Sequence, residues 1–252
     1  MKSIYVDGDL EAIRQTVRSF VENEVVPNVE LWEEQRAVPR EILDSAGKLG
    51  FYGLRIPEEY GGLGLGHVSS LVFAEELGRI TAGGVAITLL VHTDLASPYV
   101  TNFGTSEQKG RWLAKFANGE MITAIGVTEP DAGSDVAAIR TSAVSDGDGW
   151  RINGTKMFIT NGSIADLVFV AARTNPDAKG SRGVSIFAVE RGTPGFTANP
   201  IDRKMGWHSS DTTELVLSDV WVPGDNLIGE KNRGFYYIMQ NFQNERLAIM
   251  GA

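Results

Sequence analysis

The hydrophobic repeat of this chain changes period twice, and that change limits the fold more than any other feature. Over residues 10–25, apolar side chains at Leu10, Ile13, Val17, Phe20, Val21 and Val25 recur every three or four positions, the stripe of an amphipathic helix. Asp7 and Asp9 give it an acidic start and Pro27 a stop. Pro39 opens a second helical segment, at a position where a missing N–H costs little, and Gly47 and Gly50 bracket its end. Helical patterns follow at 67–80, 85–103 and 106–116. After Gly119 the period shortens. Runs rich in Val, Ile, Thr and Phe at 121–128, 137–144, 155–160, 166–173, 183–189 and 213–217 are separated by turn clusters such as Asp146-Gly147-Asp148-Gly149 and Asn161-Gly162. From Gly234 the helical pattern returns. The expected class is α+β: an N-terminal all-helical domain over 1–119, a middle antiparallel β-barrel or sandwich domain over 120–232, and one further helix over 233–252.

Bulk chemistry narrows the function. Hydrophobic residues make up 42% of the 252 and charged ones 22%, enough apolar surface for a sizeable core and too little charge for disorder. The 32 acidic and 23 basic side chains leave a formal charge of -9, which disfavours nucleic acid and anionic membrane as partners and requires local cations for any anionic ligand. With no cysteine, thiolate catalysis, disulfides and cysteine metal sites are excluded. His67, His92 and His208 are far apart and fit no metal-ligand spacing, and no G-x-S-x-G elbow is present. Residues 1–10 carry Lys2, Asp7 and Asp9 without an apolar run, unlike a signal peptide, and the apolar stretch 83–91 is far short of a membrane span, so a cytoplasmic location is expected.

Two local features invite functional readings. The run Gly61-Gly62-Leu63-Gly64-Leu65-Gly66 fits neither the dinucleotide nor the P-loop spacing, and reads as turns needing positive φ. In the last helical segment, counting places Phe235, Ile238, Met239, Phe242 and Ile249 on one stripe, and Glu245 falls on it too. A carboxylate among apolar neighbours has a raised pKa, which suits a general base for a carbon acid. A buried pair with a neighbouring Arg, or a helix leaving its core, also explains it, and the pattern by itself leans that way. Tyr236, Gln243 and Arg246 form a polar, cationic face beside it.

The segment 125–135, Ile-Gly-Val-Thr-Glu-Pro-Asp-Ala-Gly-Ser-Asp, resembles the T-E-P-x-A-G-S-D motif of the acyl-CoA dehydrogenases. Further segments agree in order and spacing: 57–62 (PEEYGG), 104–109 (GTSEQK), 153–162 (NGTKMFITNG), 204–207 (KMGW) and 244–247 (NERL). The similarity spans essentially the whole chain. It implies a helical domain, a middle β domain and a C-terminal four-helix domain, with the chain truncated at the first helix of the third.

The resemblance also implies FAD as cofactor and the residues that hold it. Ile125, Val127 and Thr128 offer backbone and hydroxyl contacts to the flavin ring, followed by Gly133 and Ser134, the latter near both the FAD pyrophosphate and the CoA portion of the substrate. Phe158, Ile159 and Thr160 flank the flavin on its other side; family members often carry Trp at the position of Phe158, which keeps the platform but loses an indole donor. Ser181 and Arg182, in the 179–183 loop, resemble a CoA-contacting loop. Arg182 and Arg246 suit CoA phosphates, Tyr236 and Gln243 match positions lining the acyl-CoA channel, and Asn244 lies beside them. In long-chain and isovaleryl-type members the base sits on the helix opening the C-terminal domain, here Glu245, and the resemblance turns the balance toward a catalytic role. The implied reaction takes the α-proton of an acyl-CoA thioester while a hydride leaves the β-carbon, giving the 2,3-enoyl-CoA and sending electrons to an electron-transfer flavoprotein. A homodimer or homotetramer is the family expectation. The rival readings are a non-catalytic, partner-dependent acyl-CoA-binding chain and a flavin oxygenase on the same fold.

Overall fold

The computed structural model describes residues 5–178 and 180–252. Residues 1–4 of the N-terminal reading, and Lys179 of the 179–183 loop, lie outside the described residues. Helix α1 (Gly8–Phe20) is capped by Asp7, whose carboxylate accepts the Leu10 N–H at 3.0 Å. Pro27 does not stop the helical path. A π-helical turn (Val21–Val25) and a 3₁₀ turn (Val26–Asn28) carry the chain into α2 (Val29–Gln35), because Pro27 falls in the first turn of the tight segment, where no N–H is needed. Helices α3 (Arg40–Lys48), α4 (His67–Leu77), α5 (Gly83–Leu90), α6 (Pro98–Phe103) and α7 (Ser106–Ala117) follow. The single helix expected over 85–103 is α5 and α6 joined through a π-helical turn, Val91–Ala96. In the glycine-rich loop, Gly61 and Gly64 have φ of 83° and 61°. The amides of Leu63, Gly64 and Leu65 donate to the carbonyls of Gly53, Ile56 and Leu54, so the loop is closed on its own backbone.

The strands are β1 (Thr123–Gly126), β2 (Ser142–Asp146), β3 (Gly149–Thr160), β4 (Leu167–Arg173), β5 (Val184–Glu190), β6 (Phe196–Pro200), β7 (Thr212–Pro223) and β8 (Leu227–Ile228). They form one eight-stranded sheet in the order β6-β7-β3-β2-β4-β5-β8, with β1 on β4. The sheet is open, not a closed barrel, and not wholly antiparallel. Strand β5 occupies one edge of β4, and the other edge takes β1 in parallel along Thr123–Gly126 and β2 in parallel through Ser142 and Arg173. Strands β6 and β8 were not expected.

Strand β4 is buried on both faces. Leu167, Phe169 and Ala171 join the helices in one core, which also takes Ile238 of α8 (Gly234–Gly251), while Val168, Val170 and Ala172 join a core on the far side of the sheet. That explains why this strand reads as a continuous apolar run. Arg40 ties the helical half to the sheet by donating to Asp166 at 3.1 Å and to the carbonyls of Gly119 and Glu120. Among the described residues no helix is long and apolar enough to cross a membrane.

Candidate active site

Past the end of β1 the chain makes a tight turn in which Glu129 and Ala132 exchange backbone hydrogen bonds at 2.9 and 3.2 Å. The Glu129 carboxylate accepts from the N–H groups of Arg140 (2.6 Å) and Thr141 (2.9 Å) and from Lys156 Nζ (2.7 Å). Burial raises this carboxyl, but the Lys156 ammonium and the N–H donors hold it below the ordinary carboxylate range. Lys156 Nζ also donates to the Val127 carbonyl at 3.2 Å, and the Met157 N–H to the Thr128 carbonyl at 2.8 Å. The carbonyls of Val127 and Thr128 are thus both committed to β3.

Strand β3 can reach them because its ladder with β7 slips between Lys156 and Ile159. Phe158 sits at the slip with φ of 60°, and its ring is 64% exposed, an arrangement that leaves one aromatic face open for a planar partner. Ile125 is half-buried and packs against Ile87, Val91 and Leu95. Thr128 and Thr160 are half-buried, while Gly133 and Ser134 are exposed. Ile125, Val127, Thr128 and Phe158 therefore gather about the Thr128–Met157 hydrogen bond. The side chains of Val127 and Ile159 are buried in the cores, so these two offer backbone only. These residues fit a flat aromatic group with hydrogen-bonding edges.

On α8 the buried residues are Gly234, Ile238, Asn241 and Ala248. Glu245 is half-buried and lies four after Asn241 and three before Ala248, hence on the buried face. The stripe is rotated from the expected one, for Ile249 is 42% exposed. Gly234 lets the helix start against β5, since a Cβ there would come within 2.8 Å of Ser185 Cα. Asn241 Nδ2 donates to the Leu95 carbonyl at 2.9 Å and fixes the helix on the π-helical turn. Burial pushes the Glu245 carboxyl up to about 7, with Arg246 pulling the other way.

A surface cavity of about 590 Å³ lies at the start of α8, lined by Asn175, Asp177, Arg182, Asn232, Arg233 and Tyr236 among others. Arg182 and Tyr236 meet there, and Ser181 is next to Arg182 in the chain. Gln243, Asn244 and Arg246 do not line it; Arg246 lies over the Phe242 ring at 5.5 Å. Sequence reasoning missed Arg233, whose guanidinium stacks on Tyr236 at 4.6 Å. Its position three residues before Tyr236 at a helix start was the available signal. Tyr236 precedes Glu245 by nine residues, roughly 14 Å along the helix. A larger cavity of about 820 Å³ between α1 and α4 shares no residue with this one and includes Asp7, Glu11 and Glu75, which suits an anionic ligand poorly.

Residues 7–120 match the profile of the acyl-CoA dehydrogenase N-terminal domain, and 124–220 that of the acyl-CoA dehydrogenase middle domain. The chain is 42% identical over 240 residues to the long-chain specific acyl-CoA dehydrogenase, mitochondrial, of Rattus norvegicus, covering 95% of this chain and 55% of that one. The crystal structure of acyl-CoA dehydrogenase from Geobacillus kaustophilus superposes with a TM-score of 0.94 at 43% identity, over 99% of this chain and 66% of that one. A glutaryl-CoA dehydrogenase from Mycobacterium smegmatis, solved in complex with FADH2, gives a TM-score of 0.88 at 38% identity over 97% of this chain and 61% of that one. The chain thus spans less than two thirds of the length of each.

Proposed function

The chain belongs to the acyl-CoA dehydrogenase family, and on that premise we propose that it takes part in α,β-dehydrogenation of an acyl-CoA thioester, with Glu245 as the base. The observation that carries this reading is the placement of Glu245: a half-buried carboxylate on the buried face of α8, raised to about 7. The substrate is a thioester with an anionic handle, for which the cavity at the start of α8 offers Arg182 and Arg233. Arg182, Arg233 and Tyr236 hold the handle, with Ser181 beside them and Gln243, Asn244 and Arg246 further along α8. Glu245 Oε then takes the α-proton.

FAD is the proposed cofactor, supported by the exposed Phe158 ring and the open Thr128 and Ser134 hydroxyls. Ile125, Val127, Thr128, Gly133, Ser134, Phe158, Ile159 and Thr160 would hold it. When bound it supplies the acceptor for the hydride equivalent from the β-carbon, and an electron-transfer flavoprotein is the proposed onward partner. The proposed domains are 1–119, 120–232 and 233–252, the last being the opening helix of a C-terminal bundle; the change of period at Gly119 and the return of a helix at Gly234 support them. A homodimer or homotetramer in the cytoplasm completes the proposal.

The test is Glu245→Gln in the FAD-loaded protein, scored by flavin bleaching with a panel of acyl-CoAs. Loss of a positioned base slows bleaching about 10³-fold or more. Full-rate bleaching by the variant refutes Glu245 as base, and rapid reoxidation by oxygen in place of transfer to the flavoprotein points to oxygenase chemistry.

A further inference from the structure

Arg173, the last residue of β4, stands where both neighbours of that strand leave it. It is paired with Ser142 of β2 on one side and Val184 of β5 on the other, and its backbone N–H donates to the Thr141 carbonyl at 2.7 Å. A guanidinium carries five N–H donors in one plane. Here all five go to main-chain carbonyls. Nε donates to Ile139 at 3.2 Å, Nη2 to Ala137 at 2.9 Å and Gly180 at 3.4 Å, and Nη1 to Arg182 at 3.1 Å and Ala178 at 3.3 Å.

The five acceptors belong to two irregular segments. Ala137 lies in a 3₁₀ turn, Val136–Ala138, and Ile139 directly after it; Ser134 and Asp135 lead into this turn, and the Asp135 carboxylate accepts the Ala137 N–H at 3.1 Å. Ala178, Gly180 and Arg182 lie in the connection from β4 to β5, and Ala178 and Arg182 both line the cavity at the start of α8. Among the described residues no backbone hydrogen bond joins the two segments directly. One side chain thus fastens the turn after Ser134 to the wall that carries Arg182. The sheet itself does not need this fork, because the β4–β5 ladder runs unbroken from Leu167–Glu190 to Arg173–Val184 through its own backbone.

We propose that Arg173 is a positioning residue that sets the spacing between Ser134 and the Ser181–Arg182 loop, and with it the fit of the nucleotide end of the thioester. Five carbonyl oxygens drawn onto one cation are also five negative dipole ends withheld from an anion held between the segments. The substrate meaning of this clamp rests on the reading of Ser134, Ser181 and Arg182 as CoA contacts; the clamp itself does not.

The experiment combines hydrogen exchange read by mass spectrometry with steady-state kinetics on Arg173→Met, which removes every donor and keeps a long stem. Exchange at 134–139 and 180–183 should rise together, by about tenfold, while 150–160 and 212–222 in β3 and β7 stay as they were. In the FAD-loaded protein KM for an acyl-CoA should rise about tenfold with kcat unchanged, and KM for the same acyl group on pantetheine, which lacks the nucleotide, should not move. Arg173→Lys, for a chain that does not fold with methionine there, keeps the charge and groups three donors on one nitrogen, so the same two segments should loosen to a smaller extent. Exchange that is unchanged, that rises in one segment alone, or that rises equally in β3 and β7 overturns the clamp. If both segments loosen and the acyl-CoA KM stays, or moves equally with that of the pantetheine thioester, the clamp stands and the reading of Ser134 and Arg182 as CoA contacts fails.

Discussion

Lys156 Nζ lies 2.7 Å from Glu129 Oε1 with both side chains closed to solvent, and through this pair β3 grips the turn that follows β1. Burial pulls the ammonium down to about 8 against the attraction of Glu129, so it is still charged at neutral pH. Glu129→Gln leaves that charge buried and uncompensated. The expected loss is about 3–5 kcal/mol, roughly 10 °C in Tm for a chain of this size. Replacing both partners, as Glu129→Gln with Lys156→Met, should cost less than Glu129→Gln alone. Urea melts of the two variants decide the matter, and equal losses would mean that charge is not what the pair supplies.

His92 makes the stability of the chain depend on pH. Its Nδ1 accepts the Thr123 N–H at 3.1 Å, so Nε2 carries the proton that faces the Phe116 carbonyl at 3.1 Å. Burial lowers this imidazole to about 4. Between the unfolded value near 6.5 and the folded one, the unfolded chain binds the extra proton, so stability rises with pH there. The contribution is complete above about 6.5 and is lost as pH falls to about 4, amounting to about 3 kcal/mol. Unfolding free energies measured across pH 4–8 should show that slope, and His92→Gln should flatten it.

Glu245 imposes a cost of the opposite sign. Its folded value of about 7 lies above that of an ordinary glutamate, so the folded chain holds the extra proton between them and stability falls as pH rises through that window. At pH 8 the ionised carboxylate therefore weighs against folding by up to about 3 kcal/mol. Glu245→Gln should raise the unfolding free energy at pH 8 by about 1–3 kcal/mol while leaving it little changed at pH 4. A destabilised variant at pH 8 would contradict the burial of this charge.

Arg233 should matter to substrate affinity and not to turnover. It is exposed, stacks on Tyr236 and shares a cavity with Arg182. Arg233→Ala should raise KM for an acyl-CoA about tenfold with kcat unchanged, and the effect should shrink with added salt. A fall in kcat at constant KM would place Arg233 in a different role.

The helices were legible because three-and-four spacing survives any tertiary context, and β4 was legible because both of its faces are buried. The π-helical turns at Val21–Val25 and Val91–Ala96 were not, since one extra residue per turn hardly alters a stripe read over fifteen positions. Strand β6 escaped notice because its alternation, Phe196 and Ala198 inward, spans only three residues before Asn199 and Pro200 at the sheet edge. Glu245 stood out in the sequence, though the stripe that buries it runs through Asn241 and Ala248 and not Ile249. Arg173 could not stand out. A guanidinium shared among five carbonyls is a property of the packed molecule, and in the sequence Arg173 is one arginine closing an apolar run.

The slip in β3 has a consequence for how that strand can change. Ile152 and Lys156 are buried at even positions and Ile159 at an odd one, so the strand carries two reading frames joined at Phe158. Deleting one residue at the junction would bring the halves into a single frame, with Ile159 two places after Lys156 and both still inward, and would erase the slip that presents Phe158. A one-residue deletion at Phe158 therefore costs the exposed ring and keeps the core pairing, whereas the same deletion between Ile152 and Lys156 would invert half of the strand.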